Sequence, residues 1–215
     1  MLTRIIEFEE RNKDNIKNII NKLIKQYEIL NEISLNKNYE KVSKIIANHD
    51  LVKENCDSAF EDTVQVFSFS PLGIDLRRNI SYTMIVKILS TISKNCKETA
   101  KFISNSYDLK PSLSWLNEFC EKIIKRFNDL ENVITTENPE WASRLIKKDI
   151  SINELYKREL KSFAQKILST KEKLNKDQLM QDVILAIKSL ELTLAGIKEI
   201  SEMTFYITTG KIFGD

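Results

Sequence analysis

The sequence predicts an all-α protein built as two tandem three-helix bundles, and three observations predict it. Glycine and proline are scarce, with 4 and 3 copies in 215 residues, too few for the turns that a sheet protein needs about every 8–12 residues. Apolar residues recur at three- and four-residue spacing over long windows, which lines one face of a helix. The three prolines, Pro71, Pro111 and Pro139, fall between those windows, where a helix stops or starts.

The first predicted helix covers about residues 3–34, with Ile16, Ile19, Ile20, Leu23, Ile24, Tyr27 and Leu30 on its apolar face. The second runs from about Tyr39 to Phe67, with Val42, Ile45, Ile46, His49, Val52, Cys56, Ala59, Phe60 and Val64 in its stripe. The third follows Pro71 and runs to about Tyr107, with Leu76, Ile80, Met84, Ile88, Leu89, Ile92, Cys96 and Ile103. The polar segment Ser106–Ser112 contains a proline and lies mid-chain, so it reads as a linker between a first bundle over 1–107 and a second over 112–215.

The fourth helix, about 113–134, carries Leu116, Phe119, Ile123, Phe127 and Leu130. Asn138-Pro139-Glu140 has the order of N-cap, first helical residue and first-turn acid. It opens a fifth helix with Leu145, Ile146, Ile152, Leu155, Tyr156, Leu160, Phe163 and Ile167. Asp177 caps a sixth, with Leu179, Val183, Ile187, Leu190, Leu194, Ile197 and Ile200, and Gly210 is its expected stop. Shifting helix two by 100 residues places Ile45, Ile46, Val52, Cys56 and Phe60 on Leu145, Ile146, Ile152, Tyr156 and Leu160. An internal duplication explains that register.

Composition narrows the function classes. Hydrophobic residues at 42% and charged residues at 30% suit a globular protein with a buried core. A net charge of +2 carries no electrostatic footprint for nucleic acid. No apolar run reaches the roughly 18 residues that span a bilayer. Met1-Leu2-Thr3-Arg4 followed by Glu7, Glu9 and Glu10 does not read as a secretory signal, and Cys56, Cys96 and Cys120 are widely spaced and odd in number. A cytoplasmic protein with reduced, buried thiols is expected.

Two stretches resemble the PhoU family of phosphate-uptake regulators. Pro71-Leu72-Gly73-Ile74-Asp75-Leu76-Arg77 is similar to a P-x-x-x-D-L-R that opens a long helix in that family. Ile200-Ser201-Glu202-Met203-Thr204-Phe205-Tyr206-Ile207-Thr208-Thr209-Gly210-Lys211 is similar to its ending, a helix that finishes in T-G-K. A weaker likeness joins Lys148-Asp149 through Leu155-Tyr156 to the family's D-D-x-V-D-x-L-Y. The resemblance implies a non-enzymatic regulator that couples the ATPase subunit of the phosphate transporter to a sensor histidine kinase, keeps phosphate-starvation genes off, and forms dimers in many members.

The family's metal-binding E/D-x-x-x-D pairs are largely missing. Spacing of i, i+4 would put two carboxylates on one helix face. The matching positions in the first half are His49, Lys53, Ser90 and Lys94, none of them a carboxylate. A lysine there repels a cation by about 4 kcal/mol at 4 Å for an effective dielectric near 20, so no metal is expected in the first bundle. In the second half Asp149, Glu191 and Glu199 remain, but the i+4 partners of the first two are Asn153 and Ala195. These three are weak remnant candidates for a hydrated Mg²⁺, against ordinary solvated helix acids. The expectation is therefore no cofactor, no catalytic residue and no metal.

Other residues keep two readings. His49 lies on an apolar stripe and reads as a packed histidine, or as a ligand or pH sensor. Gly196 interrupts a helical pattern, either for close helix approach or as a tolerated defect costing about 1 kcal/mol. Trp115 and Trp141 near two helix starts read as core or as partner surface. Asp75 and Arg77 read as an ordinary N-terminal acid and a surface base. No nucleophile elbow or phosphate-binding glycine loop is present. Beside the adaptor stand two alternatives, a metal-binding helical protein using the remnant acids and a generic helical scaffold.

Overall fold

The computed structural model describes residues 2–69, 72–105, 114–148, 154, 157–158, 160–162, 165 and 176–214. Among the described residues there is no β-strand. The helices are α1 (Leu2–Asn36), α2 (Val42–Val66), α3 (Ile74–Asn105), α4 (Ser114–Thr136), α5 (Pro139–Lys147) and α6 (Lys176–Thr209). Short 3₁₀ turns, Tyr39–Lys41 and Phe67–Phe69, flank α2. The expected linker at Ser106–Ser112, Pro71 and most of the fifth helix beyond Lys148 lie outside the described residues.

The α1 stripe faces the core, with Ile16, Leu23, Tyr27 and Leu30 fully inside and Ile24 partly buried against it. Its end is set by Lys37, whose positive φ of 52° breaks the helix while its N–H still bonds the Ile33 carbonyl at 2.9 Å. The end of α4 repeats this at Glu137, with φ 47° and an N–H bond to the Val133 carbonyl at 2.9 Å. Lys37 and Glu137 are 100 residues apart, the same register read from helix two. Along α1 and α4 the buried positions follow that register too: Ile16 and Leu116, Leu23 and Ile123, Leu30 and Leu130, Ile33 and Val133. Asn138 caps α5 as expected, its side chain accepting from Glu140 and Trp141 N–H groups at 2.8 and 3.2 Å.

Equivalent helices pair across the repeat. α3 packs most extensively against α6, and α1 lies along α4. Tyr27 and Phe127, equivalent under the 100-residue shift, meet with ring centroids 5.9 Å apart. Such self-pairing is the geometry of an isologous contact, here within one chain. Tyr27 also reaches Thr193 of α6 at 2.7 Å and the Ile92 carbonyl of α3 at 3.4 Å. One contiguous hydrophobic cluster runs through helices of both halves. Gly196 sits where α6 crosses α3: a Cβ there would lie 3.1 Å from Ile88 Cγ2 and 3.2 Å from Ile92 Cδ1. The close-approach reading of this glycine is the correct one.

The expected stripe of α3 needs correction. Ile80 and Met84 are each 41% exposed, and Val64 of α2 is exposed as well. A row of i, i+4 steps advances about 40° around the helix at every step, so the row from Leu76 carries Ile80 and Met84 out of the core, while Ile88 stays partly buried against it. The inward line is Asn79, Tyr82, Val86, Leu89, Ser93 and Cys96, which alternates three- and four-residue steps. Two polar members hid it: Asn79 donates to the Thr63 carbonyl at the end of α2 at 2.9 Å, and Ser93 joins a buried network.

Candidate functional site

Four places in the fold bring candidate side chains together. The first surrounds His49 of α2, which is buried and lies 3.0 Å through Nδ1 from Ser93 Oγ of α3. Gln26 of α1 donates through Nε2 to the Ile45 carbonyl at 3.2 Å, so its Oε1 is the acceptor for Ser93 Oγ–H at 3.0 Å. The serine proton is thereby committed, and the imidazole donates its Nδ1–H to the serine oxygen. Ser93 is fully buried, so this serine–histidine contact ties three helices together and offers no nucleophile to a substrate. Burial, then the charge of Lys97 and more weakly that of Lys53, lower the His49 pKa below the usual histidine value, against a smaller opposite pull from Asp50. Lys97 and Lys53, rather than Lys94, are the lysines whose charge reaches the imidazole.

Ser90 lies in a neighbouring groove of about 430 Å³ lined by Cys56, Asp57, Phe60, Val86, Lys87 and Thr91. Asp57 is its single carboxylate, and Lys87 stands 5.7 Å over the Phe60 ring. One carboxylate beside a lysine makes this groove a poor donor set for a cation. In the second half Glu191 pairs with Lys188 at 2.5 Å, and Glu199 is exposed two turns further along α6, about 12 Å by helical rise. Asp149 lies outside the described residues. Among the described residues no group of three His, Cys, Asp or Glu side chains is placed to hold a metal ion.

The thiols of Cys56, Cys96 and Cys120 are buried, and burial pushes Cys56 up to about 12. Trp115 is core at 5% exposure, whereas Trp141 is 45% exposed beside Arg144 and Lys148.

The third place was not foreseen. Arg78 of α3 donates to Glu9 of α1 at 2.9 Å and to Glu137, at the end of α4, at 3.2 Å. Tyr82 donates to the other Glu137 oxygen at 2.7 Å, and Lys13 lies 3.4 Å from it. Burial pushes the Glu137 carboxyl up, but the bonds from Tyr82 and Arg78 and their neighbouring charges outweigh it, so its pKa is lowered. At Glu9 burial wins over Arg78 and the pKa is raised. This knot joins α1, α3 and the α4–α5 corner. Its single sequence clue, acids and an arginine dispersed over three helices, is indistinguishable from surface charge without the fold.

The fourth place is where the two resembling stretches meet. Arg77, from Asp75-Leu76-Arg77, packs its guanidinium on Gly210, from Thr209-Gly210-Lys211: a Cβ on Gly210 would lie 3.4 Å from Arg77 Cζ. Gly210 has φ 68° and its N–H bonds the Tyr206 carbonyl at 2.9 Å, ending α6 as expected. Asp75 lies 3.5 Å from Arg78. Arg77 is half-buried, and its Nε is buried without a partner.

No protein-family profile and no curated protein matches the sequence. Solved structures do match its fold. The phosphate transport system regulatory protein PhoU from Streptococcus pneumoniae superposes with a TM-score of 0.85 at 15% identity, over 98% of this chain and 100% of that one. PhoU from Pseudomonas aeruginosa gives 0.82 at 15% identity, over the same shares of the two chains. The all-α architecture, its helix order and its full length are shared with these proteins, and the chain has the PhoU fold.

Proposed function

We propose that this chain regulates phosphate uptake and phosphate-starvation signalling as a cytoplasmic protein–protein adaptor between the phosphate transporter's ATPase subunit and a sensor kinase. The observation that carries the reading is the full-length likeness to two PhoU structures, one of them described as a phosphate transport system regulatory protein, supported by the meeting of Arg77 and Gly210. No described helix is long and apolar enough to cross a membrane, so contact with the transporter falls to surfaces of the helical body. The adaptor acts without catalysis and without a metal in its first half, where His49, Lys53, Ser90 and Lys94 stand at the positions that the resemblance matches to the family's acids.

Deletion of the gene tests the regulatory reading. Phosphate-starvation genes are expected to rise in phosphate-rich medium, and unchanged expression overturns the reading. Elemental analysis of the purified protein tests the metal statement, where a stoichiometric divalent ion that survives Asp149→Asn with Glu191→Gln would place metal in the first half and refute it.

A further inference from the structure

The geometry points to a protein-docking surface where α3 begins and α6 ends, fitted to a partner segment that carries a carboxylate flanked by apolar side chains. This inference deepens the adaptor reading and rests on it for the identity of the partner.

The apolar part of the surface stands out by exposure. Leu72, at 79%, and Ile212, at 68%, are the two most exposed large hydrophobic side chains among the described residues, and Ile74 adds a third at 42%. Arg77 and Gly210 hold these segments together, since Leu72 and Ile74 precede Arg77 by a turn or so and Ile212 follows Gly210 by two residues. Single exposed apolar residues are ordinary, but a cluster with a polar anchor marks an interaction site.

The charged part names the occupant. The Arg77 side chain makes no hydrogen bond or ion pair with any described residue, and its Nε is buried and unsatisfied. The unbonded terminal nitrogens are not buried, so the guanidinium presents a fork that matches a carboxylate. The nearest acid on its own helix turn, Asp75, is directed to Arg78 instead. Lys211 is exposed beside it. Gly210 supplies the left-handed turn, at φ 68°, that brings the end of α6 against the guanidinium. Two cations with no acid partner among the described residues, set beside exposed leucine and isoleucine, complement an acidic amphipathic segment better than a free anion, which would leave the apolar flank uncovered.

The test is an NMR titration of the full chain with a synthetic amphipathic helical peptide bearing leucines on one face and glutamates beside them. Its lysine-for-glutamate counterpart and inorganic phosphate alone serve as comparisons. The glutamate peptide is expected to shift the methyl signals of Leu72, Ile74 and Ile212 and the Arg77 Nε–H saturably, at least tenfold more tightly than the lysine peptide. Arg77→Ala, and Leu72→Ser combined with Ile212→Ser, should each weaken it at least tenfold. Arg77→Lys should weaken it less, and Leu35→Ser, exposed at the far end of α1, should leave it unchanged. No saturable shift at millimolar peptide, equal binding of the lysine peptide, or the same shifts from phosphate alone overturns the surface. Capture of the purified transporter ATPase is measured separately. Peptide binding without ATPase capture supports the surface and counts against the adaptor's named partner, whereas ATPase capture unchanged by Arg77→Ala and by the Leu72/Ile212 pair counts against the surface and leaves the adaptor standing.

Discussion

The corner after α1 and the corner after α4 share one backbone and differ in what hangs from it. Both helices end at positions 100 residues apart, in a left-handed residue whose N–H bonds back four positions, and an asparagine precedes the next helical turn in each. Lys37 is exposed, whereas Glu137 is half-buried and accepts from Arg78 and Tyr82. The positions equivalent to Arg78 and Tyr82 are Gln178 and Asp182, which bond each other at 3.0 Å within α6. Duplication preserved the turns and the apolar register, which each half needs to fold. The side chains at the corners were free to diverge, and one corner became a lock between helices of the two halves.

Breaking the lock at its cation has the largest expected effect. Arg78→Met leaves Glu9 and Glu137 facing one another with reduced solvation, and we expect a loss of about 3–4 kcal/mol by urea unfolding, since removing one partner strands the others. Glycine at the two corners should then act with opposite sign. Glu137→Gly relieves the left-handed backbone but removes the acceptor for Arg78 and Tyr82, for a net loss of about 2–3 kcal/mol. Lys37→Gly relieves the same backbone with nothing to lose, and should gain about 0.5–1 kcal/mol. A loss of similar size at both corners would show that the backbone, not the ion pair, sets their energetics.

The comparison sharpens at the α3–α6 crossing, where α3 carries Cys96 and α6 carries Gly196 at the equivalent position. Gly196→Cys copies the first half into the second and drives a side chain into Ile88 and Ile92, so a lowered Tm corresponding to about 1–2 kcal/mol is expected. The smallest effect is a pH dependence confined to the first half. Burial lowers the His49 pKa in the folded chain, so the unfolded chain binds its proton first, from about pH 6.5 downward. Stability from this residue is intact above that pH and declines as pH falls, levelling off below the folded pKa. Thermal melts of the wild type and His49→Gln between pH 8 and pH 5 (about the range of histidine titration) should show this step only in the wild type.

The helices were legible because their signals are local. Asn138-Pro139-Glu140, the seven apolar positions of α1 and the stop at Gly210 require nothing beyond their own turn to be recognised. The face of α3 was only half legible: Ile80 and Met84 match an apolar template, yet Asn79 and Ser93 point inward because α1 and α2 offer them hydrogen bonds. Of the site candidates, His49 packs with a single hydrogen bond, as one of its two readings required. Glu191 proved to have a lysine partner three residues away, and Arg77 acquired meaning only when its helix start was placed against Gly210.

The sequence by itself determined the all-α class, the helix order, the repeat register and the want of a carboxylate at His49, Lys53, Ser90 and Lys94. Those properties follow from periodicity, caps and residue chemistry, which act over a few residues. The tertiary structure decided that α3 meets α6, that Arg78 binds acids from α1 and from the α4–α5 corner, and that Leu72, Arg77 and Ile212 share one end. Each is a contact between segments tens of residues apart, and its energy depends on burial and distance, which exist only after the helices have packed.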